Sequence, residues 1–325
     1  MIKRMLLTRE AALFLALIAL FTAFSIMTPN FFDLLNLLDR SRHWVVIGMV
    51  AVPMTFVIAS AGIDLSVGSI VALCGMCMGL LWRDAGWPIF AAAAAAVMIG
   101  LIAGAANGAA GSYLRVPPLV VTLATMALYS GIAMGLSKGG PVRNIPESLQ
   151  WISQGNAFML RDGTPPAYFP VPLFALIAVF VFGGVLMKKS RFGRYAEAIG
   201  ENEIAAQFAA VNVRRIKLSI YAFSGLVAGI ASLFYSALFA STRPEAGRGL
   251  ELEAIACVVI GGTRISGGSG SIVGSLLGLL IIGILRYGLE LSGVRSDQLI
   301  IVVGVLLILM AVFNEWMASK SGGRK

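Results

Sequence analysis

VIASAGIDLSVGSIV, residues 57–71, returns near the other end of the chain as VIGGTRISGGSGSIV, residues 259–273. At a constant offset of 202 positions, seven of fifteen pairs are identical: Val57/Val259, Ile58/Ile260, Ile63/Ile265, Gly68/Gly270, Ser69/Ser271, Ile70/Ile272 and Val71/Val273. So apolar a sequence gives roughly one or two matches by chance at any one offset, so the pairing indicates an internal duplication. Each copy interrupts an apolar run with a short polar, glycine-bearing stretch. Hydrophobic segments broken at corresponding positions of a repeat are characteristic of transporters, and the breaks tend to lie near the substrate path.

Composition places this repeat in a membrane. The chain is 58% hydrophobic and 13% charged, with a mean hydropathy of +0.88, well outside soluble usage. Ten apolar runs approach the length that crosses hydrocarbon: 11–28, 45–61, 67–81, 89–113, 119–136, 171–187, 218–238, 252–262, 271–287 and 299–314. The eighth is short enough to be a half-helix. The expected fold is all-α, a polytopic membrane helix bundle of about ten spans forming one transmembrane domain over residues 1–325. The basic residues 1–9 precede an apolar run without a small-residue exit, which reads as a first span, not a cleavable leader.

Lys and Arg predict the orientation. Lys188, Lys189, Arg191, Arg194, Arg214, Arg215 and Lys217 crowd the loop 188–217, and placing it in the cytoplasm puts both termini there. Fifteen of the 25 basic residues then lie inside, concentrated in short segments, as the positive-inside rule requires. The net charge of +9 thus reports orientation, and nothing supports a nucleic-acid partner.

Few polar residues interrupt the apolar runs. Asp64, in Gly62-Ile63-Asp64-Leu65-Ser66, costs about 2.5–3.5 kcal/mol at a span centre and needs a local partner. Asp64 or Ser66 is expected to cap the helix opening at Val67, and can also shape a solute pathway. Asn107 can bond a neighbouring helix or a hydroxylated solute, while Thr122, Thr125 and Ser130 fit backbone bonding better. Asp64, Ser66, Asn107 and Thr122 are the candidate substrate-pathway residues. Gly100/Gly104/Gly108 and Gly270/Gly274/Gly278 form ladders of small residues that let helix backbones approach closely. Pro53 is expected to kink its span.

Other chemistries fail. Cys74 and Cys77 form CxxC, but only Cys257 and His43 offer further soft ligands, so no metal site is expected. The glycine-rich run 261–274 lacks the ending of a phosphate-binding loop. With one histidine and no paired carboxylates or serine–histidine set, neither catalysis nor a cofactor is expected.

The basic loop holds a second pattern. Residues 203–210 are expected to be helical, capped by Asn202, with Ile204, Phe208 and Val211 forming one apolar stripe and Glu203 at the start. Such a helix fits lipid headgroups or a partner's groove.

GIDLSVGS (62–69), Asn107-Gly108 followed by VPPLVVTL (116–123), FGRYAEAIGENEIAA (192–206) and IACVVIGGTRISGGSGSIVG (255–274) together resemble the permease subunits of bacterial ATP-driven sugar importers. The branch is that of ribose, xylose and galactoside permeases, with rhamnose and autoinducer-2 members. The resemblance covers nearly the whole chain in order. It implies an inner-membrane permease that works with a second permease subunit, cytoplasmic ATP-binding subunits and a periplasmic sugar-binding protein. It also implies that Gly200, Asn202, Glu203, Ile204, Ala205, Ala206, Phe208 and Val211 belong to a coupling helix that docks on the ATPase. One departure is Ala209-Ala210-Val211, where the family commonly has Ser-Gly-Ile. The 266–271 ending and Ser241-Thr242-Arg243, read as a turn, look closest to rhamnose and autoinducer-2 members. An ion-coupled carrier is the alternative; it would ordinarily use several intramembrane ionisable groups, and Asp64 is nearly alone.

Overall fold

In the computed structural model, residues 9–161 and 166–295 are described, with 298, 299, 301, 302, 304, 305, 308 and 309 beyond them. The helices are α1 (Arg9–Met27), α2 (Leu34–Ala59), α3 (Val67–Arg83), α4 (Ile89–Tyr113), α5 (Pro118–Ser137), α6 (Glu147–Gln154), α7 (Pro172–Lys189), α8 (Arg191–Glu201), α9 (Glu203–Phe208), α10 (Val213–Leu238), α11 (Leu250–Ile260) and α12 (Ile272–Leu291). Seven of them are long and apolar enough to cross a membrane. At 1.5 Å per residue, the 17 residues of α3 and the 11 of α11 reach roughly 25 Å and 16 Å, short of a core of about 30 Å. The eighth expected span is therefore a half-helix. The tenth, 299–314, lies largely outside the described residues.

Local chemistry sets the boundaries. Asp33 accepts from Leu35 N at 2.9 Å to open α2, Asn212 from Arg215 N at 3.1 Å to open α10, and Ser271 from Gly274 N at 3.0 Å to open α12. Pro118 and Pro172 occupy first-turn positions, where a missing N–H costs nothing. Pro53 lies inside α2, which continues helical across it to Ala59; it does not end the element.

α2 is the central element, its residues 49–59 buried throughout. α12 runs antiparallel beside it: a Cβ on Gly48 would meet Leu279, and Thr55 Oγ1 lies 2.8 Å from Ser275 Oγ. α4 crosses α10 backbone to backbone. A Cβ on Gly100 would meet Gly225 and Gly229, and one on Gly104 would meet Tyr221 and Gly225. The first ladder thus packs on a second pair of glycines; the other packs α12 on α11, with Gly274 against Gly261 and Gly278 against Cys257.

Two short antiparallel pairs interrupt the helices. β1 (Val142–Arg143) joins β4 (Ser241–Thr242), and β2 (Asn156–Arg161) joins β3 (Ala167–Pro170). Residues 241–242, read as a turn from sequence, are therefore a strand, because their partners lie some hundred residues away. Arg42 clips this end together, donating to Ser153 O at 2.7 Å and Asn156 Oδ1 at 2.6 Å.

Candidate functional site

Both copies of the repeat form helix, break, helix. The first break, 60–66, separates α2 from α3; the second, 261–271, separates α11 from α12. Gly268 N donates to Ala59 O at 2.9 Å, so α2 and α11 end at the same end of the bundle and the repeats run parallel.

The first break closes around Asp64. Its Oδ1 accepts from Ser66 N at 3.0 Å and Ser66 Oγ at 2.6 Å; its Oδ2 accepts from Ser224 Oγ at 2.9 Å. Asn107 Nδ2 donates to Ser66 Oγ at 2.7 Å, and Thr122 Oγ1 donates to Ile63 O at 3.1 Å. Asp64, Ser66, Asn107 and Thr122 are at most 1% exposed. The four candidate residues therefore form one network joining the break to α4, α5 and α10. Ser224 stands eleven positions into α10, roughly 16 Å along its axis, so Asp64 is held well away from the start of that helix.

The cap expectation is corrected. Ser66 is the residue before α3, in αR backbone, and its side chain makes no cap bond. Asp64 accepts from the amide two residues on, an Asx-type turn, and its other oxygen reaches across to α10. Its carboxylate fixes the break, not the first turn of the helix.

A second irregular segment meets this node. After α10 the chain pairs β4 with β1 and then turns back until Gly247 lies against Gly68, in the first turn of α3. α11 starts there, with Glu251 and Glu253 in its first turn, where carboxylates suit the positive end of the helix dipole. Two half-helices thus begin at one level and run in opposite directions, an arrangement that places helix N-termini beside a solute path. Glu253 pairs with Arg286 of α12, and Arg40 with Glu290 at 3.0 Å. Sequence reading missed these ion pairs because the partners are far apart in the chain; for Glu253 and Arg286, the charges inside runs 252–262 and 271–287 were the available signal.

The basic loop folds as two helices. Asn202 caps α9, accepting from Ala205 N at 2.9 Å, and Lys217 pairs with Glu203 at 2.6 Å. The helix ends at Phe208 instead of reaching 210, since Ala210 adopts a left-handed φ of 60°. That turn swings Val211 in against Ile199, Ala206 and Val213, out of the expected stripe. Ile204 and Phe208 stay on the surface, 66% and 88% exposed. Ala205 is exposed beside them, whereas Ala206 is buried. Gly200 faces inward, where a Cβ would overlap Ala59 O and Gly268 N; Glu197 Oε1 accepts from Gly270 N at 3.2 Å. α8 thus packs against the end of α2 and is hydrogen-bonded to the second break.

A family model described as branched-chain amino acid transport system / permease component matches residues 36–311. The chain belongs to that family. It is 37% identical over 307 residues to the ribose import permease protein RbsC of Escherichia coli K12, covering 93% of this chain and 92% of that one. It is 36% identical over 306 residues to RbsC of Bacillus subtilis (93% and 91%). To the autoinducer 2 import system permease protein LsrD of Klebsiella pneumoniae it is 34% identical over 320 residues (95% and 93%). No solved structure matches. The chain is accordingly a multi-pass inner-membrane permease component of an ATP-binding-cassette importer. It is not itself an enzyme, and the ion-coupled alternative is set aside.

Proposed function

We propose that this permease carries a monosaccharide or a similar polyol-like solute inward by alternating access. It works as half of a permease pair, with cytoplasmic ATP-binding subunits and a periplasmic sugar-binding protein. The observation that carries the coupling part is the pair Ile204 and Phe208, exposed on a capped helix at the foot of both breaks. Large apolar side chains held out on a rigid helix suit a partner's groove. Glu203 and Ala205 flank them on the same exposed turn; Gly200 and Ala206 back the surface from within. Lipid headgroups are the weaker occupant, because α8, which packs beside α9, is tied through Glu197 to Gly270 of the second break.

ATP-driven closure of the ATPase pair would push α9, and α8 would pass the displacement to Ala59 and Gly268. The two breaks would then shift together, and the differential contacts needed for a two-state switch would arise where the half-helices begin. Asp64, Ser66, Asn107 and Thr122 act in this scheme by holding the first break in register beside the path. Loop 188–217 and both termini lie in the cytoplasm, and 137–170 in the periplasm.

Proteoliposomes test the reading. With the co-encoded ATPase and binding protein, radiolabelled D-ribose or a related monosaccharide should accumulate only when ATP is present. Uptake by the permease alone on a proton or sodium gradient would refute it.

A further inference from the structure

The segment 239–249 joins α10 to α11 and carries three charged residues, Arg243, Glu245 and Arg248. Beside the segment lies a cleft of about 300 Å³, at the lower end of the range for small-molecule sites, roughly 300–1,000 Å³. Its charged lining is Arg40, Arg248 and Arg286 against Glu245, Glu253 and Glu290. Three guanidinium groups facing three carboxylates suit a neutral ligand better than an ion. Hydroxyl groups meet both kinds of partner, donating to carboxylate oxygens and accepting from guanidinium N–H.

Four of those six are already engaged, Arg40 with Glu290 and Arg286 with Glu253. Glu245 and Arg248 differ. Neither side chain makes a hydrogen bond or ion pair among the described residues, and both are exposed. Their backbones are joined, Arg248 N donating to Glu245 O at 3.2 Å, so the two side chains are held a fixed step apart. Trp44 and Tyr235 add flat aromatic surface to the same cleft. Glu245 and Arg248 also border a second cleft, of about 290 Å³, between α3 and α5. The two residues line both clefts.

We propose that Glu245 and Arg248 are the solute-contacting, specificity-setting pair of this permease, reading the hydroxyl pattern of a neutral monosaccharide on its way between the two clefts. The assignment rests on the sugar-import reading above. The test uses proteoliposomes of the full assembly, with D-ribose, D-xylose, D-galactose and L-rhamnose as probes. Glu245→Gln and Arg248→Gln should each raise KM for the best wild-type sugar about tenfold or change the ranking of sugars. Insertion and co-purification with the ATPase should match wild type, since neither residue belongs to α9. Should Arg248→Gln fail to insert, Arg248→Lys keeps the charge, loses the planar fork and should still shift the ranking. Variants with unchanged KM and ranking, in an assembly whose wild type imports sugar, overturn the pair alone. No ATP-driven uptake of any sugar by the wild type removes the import reading, and the pair falls with it.

Discussion

The two breaks share seven of fifteen residues at matching positions and do opposite things. In the first, position 64 is an aspartate, fully buried and held by three hydrogen bonds. Its counterpart 202 positions on, Ser266, is exposed in a loop whose Gly262, Gly267 and Gly268 all take positive φ. The first break is held by side chains that reach α4, α5 and α10. The second is held largely by backbone, Gly268 against Ala59 and Gly261 against Gly274, with Glu197 of α8 accepting from Gly270 N. Two similar stretches thus form a buried polar node and a glycine-built seat. Burial decides the difference: a fully buried carboxylate must be fully partnered, whereas a loop beneath another backbone must be thin.

The largest effect should come from removing the node. Asp64→Leu leaves Ser66 N, Ser66 Oγ and Ser224 Oγ without their acceptor, at a cost of about 3 kcal/mol or more. Asp64→Asn keeps one carbonyl oxygen for Ser66 and should cost about 1 kcal/mol. Ser266→Leu, at the matching exposed site, should stay within about 0.5 kcal/mol. Thermal stability of the detergent-purified variants measures all three, and equal losses for Asp64→Leu and Ser266→Leu would erase the contrast between the breaks.

A smaller effect, confined to the partner, is expected below the second break. Phe208→Ala removes an exposed side chain, so the permease itself should keep its stability. Recruitment of the ATPase should weaken by about 2 kcal/mol, roughly thirtyfold. Co-purification and binding-protein-stimulated ATP hydrolysis report it; undiminished values for both would take the coupling role away from this helix.

The smallest perturbation only reports position. A single cysteine at Ser266, in a background with the native cysteines removed, should react with a membrane-impermeant thiol reagent in inside-out vesicles and stay unreacted in intact cells. A cysteine at Asn107 should react in neither, being buried in the first node. Labelling of the Ser266 position from outside would reverse the orientation assigned to loop 188–217.

Much of the bundle was legible because hydropathy and capping are local. The run 89–113 coincides with α4, and Asn202 was identifiable as a cap from its own neighbours. The four pathway candidates were picked as polar residues in apolar surroundings, and the fold does gather them. What escaped was what depends on distant partners. Ser224 meets Asp64 from 160 positions away, and β4 exists only because Val142 and Arg143 arrive beside it. Periodicity placed Val211 on the outer stripe, since the left-handed turn at Ala210 that redirects it carries no periodic trace. The approach of Gly247 to Gly68 was hidden for a similar reason, since residues 243–249 read as an ordinary polar connection.

The crossing of α4 over α10 has a consequence for biosynthesis. Roughly a hundred residues separate Tyr113 from Val213, so α4 enters the membrane well before its mate exists. At about 5–20 residues per second, translation leaves that interval at roughly 5–20 s. During it the glycine groove of α4 lies open to lipid or to any other helix with small residues, and Asp64 waits without Ser224. The nascent chain therefore holds a half-satisfied carboxylate in the bilayer until α10 emerges. Arrival of Gly225 and Gly229 closes the groove, and three positions of α4 and two of α10 thereby time the completion of the node.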